Sequence, residues 1–173
     1  ELIAFFAPDV RIECFPAWDC LPYDRVSPNG DIVARRVAAL GTLIKWDKER
    51  ERHPRILLTT VNAAIQRVMP KLELEAAQLD VKTRGKLDLE HLREFLSRNG
   101  YMRTETVREA GEYSLRGGII DVFPPGFAEP VRIDLFGDEV ESIRVFDPAT
   151  QLTQKKIDHF SLKPAVEFFM NEE

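Results

Sequence analysis

The chain lacks any apolar run approaching the roughly 20 residues that a helix needs to cross a bilayer. It also opens without a charged-then-apolar leader, so the sequence predicts a cytoplasmic protein. Cysteine is scarce: Cys14 and Cys20, both in CFPAWDC, are too few for a disulfide framework and read as reduced thiols. The three histidines, His53, His91 and His159, lie apart without ligand spacing, and no metal site is expected. Positive charge is not in excess. With 24 Lys and Arg against 29 Asp and Glu, the net charge of -5 argues against a broad basic face for duplex DNA, although a local patch remains compatible with it. No Gly-Lys-Ser/Thr string is present, and the Arg-Gly-Gly at 116–118 has neither the lysine nor the following helix of a phosphate-binding loop. No Ser/His/Asp or Cys/His grouping suggests a nucleophile with its base. The expectation is a segment that is not an enzyme and binds no cofactor of its own.

What is present divides into two grammars, in a chain long enough for one large domain or two small ones. The first is α/β and reads as cut from a larger architecture. An apolar ELIAFF helix end precedes the β-branched run Val10–Phe15, and PAWDCLPYDRVSPNG then has the Pro and Asp content of a loop. Asp31 is the expected N-cap of a helix whose apolar residues Ile32, Val33, Val37, Leu40 and Ile44 recur at helical spacing. After a charged connection at 47–55, the near-continuous apolar run Arg55–Val61 predicts a buried parallel strand. Asn62 is the expected cap of a helix that Pro70 ends. Strand, helix, strand, helix predicts part of a doubly wound parallel sheet.

Near Lys82 the grammar changes. One amphipathic helix, Asp88–Arg98, is expected to stop at Asn99-Gly100. Strand and turn patterns follow: Tyr101–Arg108, Gly111–Val122, Pro130–Phe136, a Gly137-Asp138 turn, Glu139–Phe146, and Leu152–Ile157. These predict a small antiparallel sheet with one helix. The closing stretch, His159–Glu173, reads as a return or an exit.

Within this second part, GEYSLRGGIIDVFPP places Arg116 beside two glycines and ahead of Asp121. Arg116, Asp121, Asp134 and Asp138 can be drawn as carboxylates with an arginine clamp, but charged faces of a small sheet explain them more simply. Alternation in VRIDLF puts Val131, Ile133 and Leu135 toward a core, and Arg132, Asp134 and Phe136 on the other face. An aromatic among charges on an outward face suits a protein-binding site, or else Phe136 merely covers the hairpin turn. Gly117-Gly118 breaks the alternation and predicts a bulge that re-aims Arg116.

FPAWDCLPYDRVSP, LLTTVNAAIQRVMP, GEYSLRGGIIDVFPPG and PVRIDLFGDEVESIRVFDPATQ, in this order over nearly the whole chain, resemble the N-terminal region of bacterial transcription-repair coupling factors. That region is similar in turn to UvrB, the helicase subunit of nucleotide excision repair, which has a tyrosine-rich segment where this chain has AWDCLPYD. The resemblance implies a partial, degenerate RecA/UvrB-type helicase-like α/β domain at 1–81, an inserted module at 82–157, and a return segment at 158–173. It implies that the inserted module docks on UvrA, the damage-recognition subunit, through Arg116, Arg132 and Phe136. ATP and magnesium, DNA and RNA polymerase would be bound by parts of the full-length protein outside this chain. The spacing between Met102-Arg103 and the RGG stretch is a residue short of some relatives, so no role carries over onto Arg103. The alternative is a fragment of a UvrB-type subunit that binds ATP and DNA.

Overall fold

A computed structural model describes residues 2–20, 27–49 and 53–167. Part of the predicted first loop (21–26), part of the charged connection (50–52) and the end of the return segment (168–173) lie outside the described residues. The first part comprises α1 (Leu2–Phe6), β1 (Arg11–Phe15), α2 (Gly30–Lys48), β2 (Arg55–Thr59), α3 (Val61–Ala64) and α4 (Lys71–Ala76). β1 and β2 pair in parallel, from Arg11 opposite Arg55 to Phe15 opposite Thr59. α2 buries Ala34, Arg36, Val37, Ala39, Gly41 and Ile44; of the expected stripe only Val37 and Ile44 are buried, while Ile32, Val33 and Leu40 are half-buried.

Both predicted helix caps shift by two residues. Asn29 caps α2, its side chain accepting from the Asp31 amide at 2.9 Å, while Asp31 occupies the first turn, where its charge suits the helix dipole. Thr60 caps α3 in place of Asn62, because its extended backbone aims the hydroxyl at the Ala63 amide, 3.2 Å away. β2 is not the buried strand expected. Leu57 and Leu58 are each 41% exposed, because among the described residues β2 has a sheet neighbour on one side only.

The second part contains β3 (Leu79–Lys82), α5 (Leu89–Arg98), β4 (Met102–Arg103), β5 (Glu112–Arg116), β6 (Ile119–Val122), β7 (Val131–Phe136), β8 (Glu139–Phe146), β9 (Thr153–Ile157) and β10 (His159–Leu162). Strands β4 to β9 form a six-stranded sheet in chain order, antiparallel except for the short β4–β5 pair. Asp88 caps α5 by accepting from the Glu90 and His91 amides. α5 buries Leu92 and Leu96 completely against Ile120, Val131, Ile133 and Ile143 on the inner face of the sheet. Each such leucine contributes about 2 kcal/mol by leaving water. The molecule is therefore a mixed α/β protein with several sheets, parallel in its first part and largely antiparallel in its second.

Two strand predictions are corrected. The Tyr101–Arg108 run pairs only at Met102–Arg103. Beyond it the Glu112 carboxylate accepts from the Arg108 and Glu109 amides at 2.7 and 2.9 Å, and Val107 turns into a separate cluster with Phe123 and Phe146. Gly111–Val122 is not one bulged strand but a hairpin. Arg116 pairs with Ile119, so Gly117-Gly118 is a two-residue turn joining β5 to β6. Gly117 has φ +60, and the first position of a type II′ turn favours glycine for that reason. Gly118 meets a different constraint, since a Cβ there would lie 2.8 Å from the Leu135 carbonyl oxygen. The Gly118 carbonyl in turn accepts from the Leu135 amide at 2.7 Å, joining the turn to β7.

The segment after β9 closes on both parts. β10 pairs antiparallel with β3, and its Phe160 and Leu162 enter the same core as α5 and the large sheet. The Ala165 amide then donates to the Asn99 carbonyl at 2.8 Å, and the Tyr101 hydroxyl donates to the Lys163 carbonyl at 2.6 Å. Glu167 reaches the first part, where its carboxylate accepts from Arg36 Nε at 2.5 Å and Trp18 Nε1 at 2.7 Å. Arg36 is fully buried, lies 4.2 Å from the Phe15 ring centroid, and donates to the Pro16 carbonyl.

Two stability predictions follow from these contacts. Gly117→Ala is expected to cost about 1 kcal/mol or more through its positive φ, and Gly118→Ala about 2 kcal/mol through the clash with backbone. Urea unfolding of both variants checks this, and an unchanged midpoint in either would contradict the hairpin geometry. Glu167→Gln leaves the buried Arg36 guanidinium without its counter-ion and should cost about 3 kcal/mol by the same measurement.

Candidate functional site

The pleat and the register decide what the outer face of the large sheet presents. Side chains directly opposite each other across an antiparallel pair share a face. Ser114, Asp121, Arg132, Arg144 and Lys156 align in one row across β5 to β9, and Ile119, Asp134 and Ser142 align in the next. Arg116 ends β5 on the same face as Ser114, and the tight RGG turn carries it past Ile119 toward the Asp121 row.

Asp121 is the centre of this face. It is 1% exposed, and both of its oxygens are used. Arg132 makes a bidentate contact through Nε at 2.6 Å and Nη2 at 2.9 Å, and Arg116 adds Nη2 at 2.6 Å. Burying a carboxylate is costly unless it is paired and hydrogen-bonded, and three charge-assisted bonds meet that demand. The guanidinium of Arg132 also lies 4.6 Å from the ring centroid of the buried Phe146. Its pKa is raised above the ordinary arginine value, chiefly by the hydrogen bonds to Asp121, with burial opposing. A second pair sits beside the first: Asp134 accepts from Arg144 Nη2 at 2.7 and 2.6 Å, and from the Ser142 hydroxyl.

The three residues expected at a docking face are thus not equivalent. Arg116 keeps 55% of its side chain exposed. Arg132 is only 18% exposed, held by Asp121 and Phe146. Phe136 is 81% exposed at the last position of β7, beside the Gly137-Asp138 turn. The Leu135–Gly118 hydrogen bond brings that end of β7 next to the RGG turn, so Arg116 and Phe136 stand at the same end of the sheet. Ile119, 39% exposed, lies between their strands.

The carboxylates do not form an acid–base pair. Asp121 and Asp134 are both engaged by guanidiniums, which do not release protons near neutral pH. Asp138 is exposed and pairs with Lys86 at 3.2 Å. Among the described residues no group of three His, Cys, Asp or Glu side chains is placed to hold a metal ion. Nor is any described helix long and apolar enough to cross a membrane. The arrangement suits recognition: a fixed array of guanidiniums beside a free aromatic ring. Asp121, which sequence reasoning drew in an arginine clamp and then set aside as part of a charged sheet face, is the buried hub of the site. Its signal lies in the spacing of Arg116 and Asp121 across a two-residue turn, visible only when RGG is read as a hairpin.

Asp121→Asn is therefore expected to destabilise the protein by about 2 kcal/mol, the loss of charge-assisted bonds at a buried site. Asp138→Asn, at an exposed pair, should leave the urea midpoint unchanged. Similar midpoints for both variants would contradict a structural role for Asp121.

Comparison with known proteins adds to this geometry. The family profile of the UvrB interaction domain matches residues 79–168, from β3 through β10 and the strap behind it. The transcription-repair-coupling factor of Haemophilus influenzae is 40% identical over 154 residues, 89% of this chain and 13% of that protein. Its namesake from Escherichia coli is 38% identical over 151 residues, 87% of the chain and 13% of the relative. That of Myxococcus xanthus is 36% identical over 163 residues, 94% and 13% respectively. The chain thus spans about an eighth of the length of these relatives. A small sheet with a guanidinium-rich outer face, matched along its length by that profile, belongs to the UvrB interaction domain family.

Proposed function

We propose that this chain is a protein-docking module that recruits UvrA on behalf of a transcription-repair coupling factor, linking RNA polymerase stalled at damage to nucleotide excision repair. The observation that carries the reading is the outer sheet face, where Arg116 and Arg132 converge on Asp121 and Phe136 stands 81% exposed beside them. Guanidiniums held in place lose little entropy when they meet partner carboxylates, and an exposed ring needs a pocket to leave water. Arg116 and Phe136 are the direct contacts. Arg132 contributes through its exposed edge and by holding Asp121. The matched relatives are named transcription-repair-coupling factors, which supports this role for the chain.

In this reading residues 82–157 are an insertion into a helicase-like α/β domain formed by 1–81 and 158–173. The β3–β10 pair supports it, since chain entry and exit lie side by side there. The parallel β1–β2 pair with α2 against it would be part of the degenerate RecA/UvrB-type sheet. The ATP-driven motor, with its magnesium, and the contacts to DNA and RNA polymerase belong to the remainder of a full-length cytoplasmic protein. This segment uses no cofactor and performs no catalysis.

Titrating purified UvrA against the 173-residue chain tests the site. Phe136→Ala and Arg116→Glu should each weaken binding by about thirtyfold or more, equivalent to about 2 kcal/mol, with an unchanged circular dichroism spectrum. Undiminished affinity in both variants would overturn the assignment. Arg132→Glu is the less informative substitution, because a carboxylate at this largely buried position cannot swing away from Asp121 as one at the half-exposed Arg116 can.

A further inference from the structure

The row that contains Asp121 and Arg132 does not end at β7. Arg144 lies directly opposite Arg132 on β8, and Lys156 directly opposite Arg144 on β9. With neighbouring strands about 4.8 Å apart, the three cations form a line about 10 Å long across the outer face. Two details set the far end of this line apart from a passive charged surface. Arg144 commits a single nitrogen, Nη2, to Asp134, and its Nε is buried without a hydrogen-bond partner, while 30% of the side chain is open to solvent. Lys156 is exposed and makes no ion pair among the described residues. Along this row three cations, Arg132, Arg144 and Lys156, outnumber the single carboxylate of Asp121, in a chain whose net charge is -5; the neighbouring part of the face carries Arg116 with Asp134 and, opposite Phe136, Glu139.

We propose that the docking face extends along this row to Arg144 and Lys156, which receive an acidic, carboxylate-bearing stretch of the partner's surface. The proposal rests on the reading of this sheet face as the UvrA-docking surface and widens it beyond Arg116 and Phe136. A local positive field on an otherwise acidic molecule orients an acidic partner during approach. On arrival, a partner carboxylate can take the Nη1 donors of Arg144, which Asp134 leaves unused, and Lys156 offers three more. A nucleic acid is the poorer fit. Asp121 and Asp134 punctuate the array, and a run of phosphates cannot avoid them.

The test is a set of titrations of UvrA against the 173-residue chain at several salt concentrations. The variants are Arg116→Glu, Arg144→Gln and Lys156→Glu, with Arg93→Glu, on α5 across the core from this face, as a control whose charge change equals that of Lys156→Glu. Lys156→Glu and Arg144→Gln should each weaken binding about fivefold to tenfold and flatten its salt dependence, with Arg93→Glu changing it less than about twofold. Arg144→Gln keeps a hydrogen-bonding side chain next to Asp134, and Lys156→Glu disturbs no internal contact, so folding is not at issue for the second. Wild-type affinity and salt slope in both row variants, with binding lost in Arg116→Glu, would overturn the extension and leave the smaller docking site standing. Wild-type affinity in all three would overturn both. A loss confined to binding of a single-stranded 30-mer oligonucleotide, with UvrA affinity intact, would also overturn it and make the row a nucleic-acid contact.

Discussion

The outer face of the large sheet depends on one buried carboxylate. Asp121 draws Arg132 across the β6–β7 pair and Arg116 back over the hairpin turn, so a single acidic group fixes two guanidiniums from different strands. Left alone, neither long side chain would keep one rotamer, and ordering them costs entropy that a binding partner would otherwise have to supply. Desolvation makes this arrangement stringent. Asp121 is out of water, so its oxygens must be satisfied by arginine, and the arginines are thereby held where they are. A site built this way is pre-organised by the stability of the module itself.

The same logic, with the charges exchanged, joins the two parts of the molecule. Arg36 of α2 is buried among Phe15 and Trp18, and its counter-ion comes from Glu167, more than a hundred residues later and just beyond β10. Between β10 and Glu167 the chain is held to Asn99 and Tyr101. The β3–β10 pair, the strap and this ion pair therefore form a continuous connection from the docking module to the parallel strands. Motion of the sheet relative to α2 would require breaking a buried pair, which is expensive. The outer face of the sheet lies on the other side of the α5 core and is free of that connection.

Much of this was legible residue by residue. The amphipathic pattern and the Asn99-Gly100 stop predicted α5 closely, and period-two alternation in VRIDLF assigned Val131 and Ile133 to the core and Arg132 to the opposite face. The charged turn at Gly137-Asp138 predicted the β7–β8 hairpin. The failures have a common physical origin. Gly117-Gly118 satisfies the local rules for a bulge and for a turn alike, and the close approach of Leu135 decides between them. The apolar run at β2 predicts burial, but burial depends on neighbours that local sequence does not specify. Thr60 and Asn62 are both capping residues, and the backbone path out of β2 selects the first.

The sequence by itself therefore determined the element types, the change from an α/β grammar to an antiparallel one, and which side of each strand carries charge, because these follow from local periodicity and turn chemistry. It also carried the family resemblance, in motifs that run the length of the chain. Only the tertiary structure decided that Asp121 is the buried hub, that it holds Arg132 largely buried and Arg116 half-exposed, and that Arg144 and Lys156 continue the same row. Strand register is a long-range property. It is set by two-residue turns and by inner-face packing between segments far apart in sequence, and no single strand encodes which charges will stand side by side.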